Sequence, residues 1–326
     1  MIPQTQQNAM PIDGNAALEL HKEERDRSTY IGGSDCAAIL GQSRFEGRTP
    51  LGVWCEKTGL VPPKDISDKM QVRVGIKLED DVCEFFMEDT GKKLWRVNET
   101  LEHPKYPFIA ANIDRRVVGE RAGFEAKTTA VWKGKEWDGE EMPLEYILQC
   151  YHYLMVTGWD RWYMGVLIGN TDFKWKPIEK DEKLQAEILR REVEFWNEYV
   201  QTKTPPSVIT KRDGDVLAAL FPKAEPEKEI LLPDEANILC ETLEGLEADG
   251  RNVEGLIEET KNKLKNLLQD AAIGRTSLHE IRWLNQPHNS IDTKSLKEHE
   301  PEMYSKYLRS KTIRRFSCKK IESKEI

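Results

Sequence analysis

The sequence predicts an α/β core followed by a long helical arm and a small α+β module, on three observations. The first is a pair of β-rich runs, residues 108–118 and 124–128, with β-branched and aromatic residues on either side of a short turn, Gly119-Glu-Arg-Ala-Gly123. The second is apolar residues at helical spacing in residues 75–86 and 143–158, the latter opened by Pro143 and closed by Gly158. The third is a seam from Leu239 to Leu267 whose members alternate steps of four and three.

Length and composition bound the rest. At 326 residues the chain exceeds one typical domain, so a core plus an extra module is expected. A hydrophobic fraction of 39% supports a buried core, and no run of about eighteen apolar residues predicts a membrane span. The first residues, Met-Ile-Pro-Gln-Thr-Gln-Gln, lack the charged and apolar regions of a secretory signal, and residues 1–17 read as a disordered tail. The six cysteines form no C-x-x-C pair, which argues against zinc and iron–sulfur sites and fits buried free thiols in a reducing cytoplasm. The net charge of −9 leaves two readings: DNA contact through a local basic groove, or no nucleic-acid binding. Arg25, Arg27, Arg44, Arg48, Lys64, Lys69 and Arg73 cluster early, which favours the groove.

The candidate chemistry sits in the hairpin. Side chains alternate along a strand, so Glu125 and Lys127 share one face while Ala126 takes the other. A bend between the strands can bring Asp114 beside them. Two carboxylates and an ammonium at one point suit a hard divalent cation such as Mg²⁺, with the lysine holding water or neutralising developing charge. A solvated hairpin whose charges face water is the alternative. Glu79 falls next to the buried stripe of its helix, where a carboxylate needs a partner or a metal. Gln149 and Tyr153 lie one turn apart and can reach the same cleft. Residues 18–60 read as helix, a Gly32-Gly33-Ser34 turn, then a second helix. Ser34 or Asp35 could cap that helix, or its N-terminus could bind a phosphate that an arginine clamps.

Further strands are expected at 162–168 and 173–176. The tryptophans at 132, 137, 159 and 162 are packing anchors or base-stacking platforms, and His103 and His152 read as structural. Residues 221–229 read as a charged linker after a core of 18–222. The arm at 230–273 is a helix folded on its own chain or a coiled coil. The module at 274–326 combines a strand near 281–284, helix near 296 and 303–304, a strand at 312–318 and a basic end.

Taken in order, Arg27, Ser34, Gly75-Ile-Lys-Leu-Glu79, Asn112-Ile-Asp114, Glu125-Ala-Lys127 and Gln149 with Tyr153 resemble the PD-(D/E)XK nuclease superfamily. Within it they resemble the YqaJ-type viral recombinases related to phage lambda exonuclease. The resemblance covers roughly residues 21–206. It implies a restriction-endonuclease-like core with a mixed central sheet flanked by helices. It also implies an alkaline 5′-to-3′ exonuclease on linear double-stranded DNA that leaves 3′ tails, needs Mg²⁺ (Mn²⁺ substituting) and assembles as a ring trimer. Asp114, Glu125 and the Ala126 carbonyl would hold metal, aided by Glu79; Lys127, Gln149 and Tyr153 would complete the catalytic set; Arg27 and Ser34 would hold the 5′ phosphate. A single-strand annealing protein is the implied partner, and a phage or prophage in a bacterial cytoplasm the implied setting. An endonuclease with the same chemistry, or a non-catalytic scaffold, are the rival readings.

Overall fold

Alternation along two long strands sets the layers of the core. In β5 (Ala122–Thr129) the side chains of Ala122, Phe124 and Ala126 join one apolar cluster, while Glu125 and Lys127 point to the opposite face. Its parallel neighbour β6 (Arg161–Ile168) sends Trp162, Met164, Val166 and Ile168 to that second face. These observations come from a computed structural model that describes residues 25–320, apart from 140, 141, 208 and 312. The tail and the first helical residues expected before Arg25 lie outside the described residues, as do the last six. The described residues form two units that divide between Pro222 and Lys223.

In the first unit β1 (Leu94–Arg96), β4 (Arg115–Val117), β5, β6 and β7 (Asp172–Glu179) make one sheet in the order β1-β4-β5-β6-β7. Only β5 and β6 are parallel; the other neighbours are antiparallel, so the sheet is mixed. A parallel pair needs a crossover, and α4 (Leu144–Thr157) supplies it, packing Cys150 and Leu154 onto the Trp162 face. The amphipathic α3 (Met70–Thr90) covers the other face with Val82, Cys83 and Phe86. Phe86 stacks on Phe124 at 4.6 Å between ring centres. α1 (Gly33–Ile39) and α5 (Glu182–Glu194) pack beside α4, and α2 (Pro50–Lys57) and α6 (Gly214–Leu220) build a further apolar cluster with Phe195 and Val200. His152 of α4 is fully buried, with Nδ1 2.8 Å from Glu192 of α5 and Nε2 3.0 Å from the carbonyl of Ala110. With both ring nitrogens facing oxygens, the geometry favours the imidazolium over the neutral ring. Burial opposes that charge, but Glu192 outweighs it and holds the pKa above the ordinary value.

Three expectations about the first unit are corrected. The run 108–118 is not one strand. Ala110–Ala111 (β3) pairs instead with Leu101–Glu102 (β2), and the chain breaks at Asn112–Asp114 before β4 begins. Asn112 holds the break by donating to the Tyr30 hydroxyl at 2.7 Å and accepting from Thr100 at 2.8 Å. Gly123 belongs to β5 rather than to the turn, and a Cβ there would lie 2.2 Å from the Trp162 ring. It is glycine because that indole crosses it. Gly33 and Ser34 are likewise the first residues of α1, not a separate turn. Part of the early basic cluster is ion-paired. Arg25, Arg44, Arg48 and Lys64 face Glu102, Glu136 with Glu145, Asp35 with Glu56, and Asp215 respectively, as a chain rich in acids makes possible.

The second unit contains α7 (Glu235–Leu268), the hairpin β8 (Ile273–Arg275) with β9 (Glu280–Arg282), α8 (Thr293–His299) and α9 (Pro301–Tyr307). Of the strand expected at 312–318, the described residues 313–318 are irregular, and the hairpin is a two-stranded sheet without them. Among the described residues no helix is long and apolar enough to cross a membrane.

Candidate active site

Register explains how the hairpin residues meet. Arg115 pairs with Phe124, so one step back Asp114 faces Glu125 across the β4–β5 ladder. β4 makes no pair beyond that point, and Asp114 Oδ2 takes the freed amide of Ala126 at 2.9 Å. In a strand the N–H and C=O of one residue leave on the same edge, so the Ala126 carbonyl is directed to the Asp114 side as well.

On the second face Lys127 Nζ donates to Glu125 Oε1 at 2.6 Å and to Gln149 Oε1 at 3.3 Å. Gln149 Nε2 donates to the same Glu125 oxygen at 2.9 Å and contacts the Tyr153 hydroxyl at 2.6 Å. Asp114, Glu125, Lys127, Gln149 and Tyr153 therefore form one connected group, with Tyr153 and Glu125 buried at its floor. With both carboxylates ionised, two carboxylates and one ammonium leave the group one positive charge short. Burial, then the Asp114 charge, push Glu125 up to about 8 despite Lys127, and its Oε2 is buried without a hydrogen-bond partner. Burial pulls the Lys127 pKa down, but Glu125 and Asp114 outweigh it and hold the ammonium charged.

Glu79 sits apart from this network. Its Oε1 accepts from Arg115 Nη1 at 2.7 Å, and the same nitrogen donates to the Asp114 carbonyl at 2.8 Å. Arg115 also binds Asp80, which Arg96 holds from the other side at 2.6 Å. Among the described residues no group of three or more His, Cys, Asp or Glu is placed to hold a metal. The carboxylate set is thus Asp114 and Glu125. That still fits Mg²⁺, which is commonly held by one or two carboxylates with waters completing the shell. The unsatisfied Glu125 oxygen marks where positive charge is missing.

Arg27 lies in a short turn before α1, and Ser34 is exposed on the first turn of α1. No bond joins them: the Arg27 guanidinium is near Tyr30 and Asp35, and the Ser34 carbonyl accepts from Arg48 at 3.0 Å. Asp35, not Ser34, completes the cap by accepting from the Gly32 amide at 3.0 Å. Burial would raise its pKa, but Lys57 at 2.7 Å and Arg48 hold its carboxyl far below the usual range.

Three contributors were missed in the sequence. The Tyr146 ring lies 4.9 Å from Lys127 Nζ, and it could have been found because positions 146, 149 and 153 share one helical face. Arg115 could not, since only the packing of α3 shows what it holds. Gly33 meets the site directly: a Cβ there would lie 2.5 Å from Tyr153 and 3.1 Å from Gln149. Of the tryptophans, 137 and 162 are buried anchors and Trp159 stacks on Trp162, whereas Trp132 is 77% exposed beside Lys133.

A mixed sheet carrying Glu125-Ala-Lys127 on β5, with Asp114 at the bend just before the neighbouring β4 and helices on both faces, defines the restriction-endonuclease-like class of α/β proteins. The YqaJ-like viral recombinase domain matches residues 24–160. The uncharacterized protein YqaJ of Bacillus subtilis strain 168 is 34% identical over 320 residues, covering 97% of this chain and 99% of its own. The chain belongs to the YqaJ-like viral recombinase family. Among solved structures it is similar to the alkaline exonuclease LHK-Exo of Laribacter hongkongensis, at 18% identity and a TM-score of 0.47 over 55% of this chain and 91% of that one. A phage-related exonuclease of Haemophilus somnus 129PT is similar at 14% identity and a TM-score of 0.42, over 54% and 95%.

Proposed function

We propose that this protein is a metal-dependent exonuclease that degrades one strand of linear double-stranded DNA from the 5′ end, leaving 3′ tails for phage-type recombination. The observation that carries the reading is the convergence of Asp114, Glu125 and Lys127 into a buried group one positive charge short. Asp114 and Glu125, with the Ala126 carbonyl, would hold Mg²⁺, or Mn²⁺ in its place. When bound, such an ion polarises a scissile phosphate and acidifies the attacking water. Lys127, fixed by Glu125, Gln149 and the Tyr146 ring, would orient that water and neutralise charge developing on the phosphate. Gln149 couples Glu125 to Tyr153 and so keeps the carboxylate aimed. Arg115 braces Glu79 against the Asp114 backbone, which gives Glu79 a supporting role. Arg27, in the turn before α1, and Ser34, on its first turn, would receive a terminal 5′ phosphate. A single-strand annealing protein would take over the 3′ tails.

The test uses linear and circular duplexes with 5′-phosphate or 5′-hydroxyl ends, in Mg²⁺ or in chelator. Only linear duplex in Mg²⁺ should be degraded, and Lys127→Ala should abolish this. Phosphorylated ends should be preferred, and Arg27→Ala should lose about 1.5–3 kcal/mol of that preference, the worth of a charge-assisted hydrogen bond. Cutting of the circle would favour the endonuclease instead. Equal rates on both ends would remove the phosphate clamp, and degradation in chelator would remove the metal.

A further inference from the structure

We propose that α7 pairs antiparallel with α7 of a second copy of this chain, forming a two-stranded coiled coil about a two-fold axis at Gly255. The helix runs 34 residues, or about 50 Å at 1.5 Å per residue. Its seam is open: Leu239, Leu246 and Leu267 are 70%, 64% and 79% exposed, and Val253 and Ile257 about half exposed. Leu268, its one buried residue, packs against Gly274 of the hairpin and lies outside the seam. Apolar exposure recurs over four heptads, interrupted at the half-buried Leu243 and at Gly250 and Thr260, and calls for a partner helix.

Charge selects the partner and its direction. Positions flanking the seam are acidic in the first half of the helix (Glu247, Asp249, Glu254) and basic in the second (Lys261, Lys263). Parallel pairing of two copies would set Asp249 against Glu254 of the second copy and stack the weak layers, Gly250 on Gly250 and Thr260 on Thr260. Antiparallel pairing about Gly255 sets Glu247 against Lys261 and Asp249 against Lys263, twice over by symmetry. The same register aligns the seam without a gap. Val253 meets Ile257, Leu246 meets Leu264 and Leu243 meets Leu267, while the two small members, Gly250 and Thr260, fall in one layer. Leu256, 56% exposed and otherwise unexplained beside the seam, meets Leu256 of the second copy across the axis. The one like-charge contact in this register is Glu254 against its own copy. In the single chain Lys261 and Lys263 lie within 4 Å of Glu258 and Glu259 on the solvent side, weak exposed pairs that can yield.

The inference is independent of nuclease activity and is tested on the full chain by light scattering after size exclusion. Particle mass should be an even multiple of 37.7 kDa. It should halve in the Val253→Asp/Ile257→Asp variant, with circular dichroism confirming that the helix is retained. Lys261→Glu/Lys263→Glu should also halve it, and adding Glu247→Lys/Asp249→Lys should restore the wild-type mass, a rescue that a folding defect would not show. A monomeric wild type, or a mass that both variants leave unchanged, overturns the proposal. So does a tighter assembly from Glu247→Lys/Asp249→Lys alone, which is the parallel outcome.

Discussion

Replacing Glu125 by glutamine should stabilise the metal-free protein at alkaline pH, although it removes one half of a 2.6 Å ion pair. In the folded chain Glu125 binds its proton with a pKa of about 8, against an ordinary 4.5, because burial and Asp114 together outweigh Lys127. The folded state therefore binds this proton more tightly than the unfolded chain. Its stabilisation is complete below about pH 4.5, is lost progressively as pH rises, and is gone above about pH 8. At about 1.4 kcal/mol per unit, the interval between the two values sets a ceiling of about 5 kcal/mol. Glutamine keeps an acceptor for Lys127 but has nothing to ionise, so Glu125→Gln should escape the decline. Urea unfolding followed by tryptophan fluorescence, in chelator from pH 5 to 9, should show the variant ahead of wild type by a margin that grows with pH. Adding Mg²⁺ at pH 8 should close the gap, since an ion that binds only the folded state stabilises it and the variant lacks the charge to hold it. A variant less stable than wild type at pH 8–9 in chelator would refute the reasoning. It would mean that the Lys127 pair outweighs both burial and the neighbouring carboxylate.

Two other substitutions probe the frame of the site. Gly33→Ala places a Cβ 2.5 Å from the Tyr153 ring, and should cost about 1–3 kcal/mol in thermal unfolding as α1 is pushed off Gln149 and Tyr153. No loss of stability would mean that α1 does not sit this close. Glu192→Ala strips the buried His152 of its carboxylate and should cost about 3–5 kcal/mol at pH 6. With its folded pKa raised, His152 contributes stability that is full below about pH 6.5 and is lost as pH rises through the folded value, so the deficit of the variant should shrink in alkaline buffer. A deficit independent of pH would show that the imidazole is neutral in the native protein.

What the sequence determined by itself is local and periodic. A two-residue alternation puts Glu125 and Lys127 on one face whatever surrounds them, and α4 carries Gln149 and Tyr153 one turn apart between its Pro143 and Gly158 stops. The α7 seam is visible for the same reason, because a heptad is a property of the chain. Tertiary structure decided what these faces meet. Phe108–Ala111 has every local mark of a strand that continues into Arg115, yet Asn112 turns it to a different partner, because Tyr30 and Thr100, distant in sequence, offer its side chain hydrogen bonds. Glu79 was placed correctly beside a buried stripe, but whether it met a metal or a guanidinium depended on Arg115, thirty-six residues away. Arg25 and Arg44 find acids 77 and 92 residues away that no local pattern announces. Gly123 and Gly33 look like turn residues in one dimension; in three they are places where an aromatic ring from another element passes too close for a Cβ. Periodicity is carried by backbone geometry and can be read along a chain, whereas close packing and charge pairing are set by residues that only folding brings together.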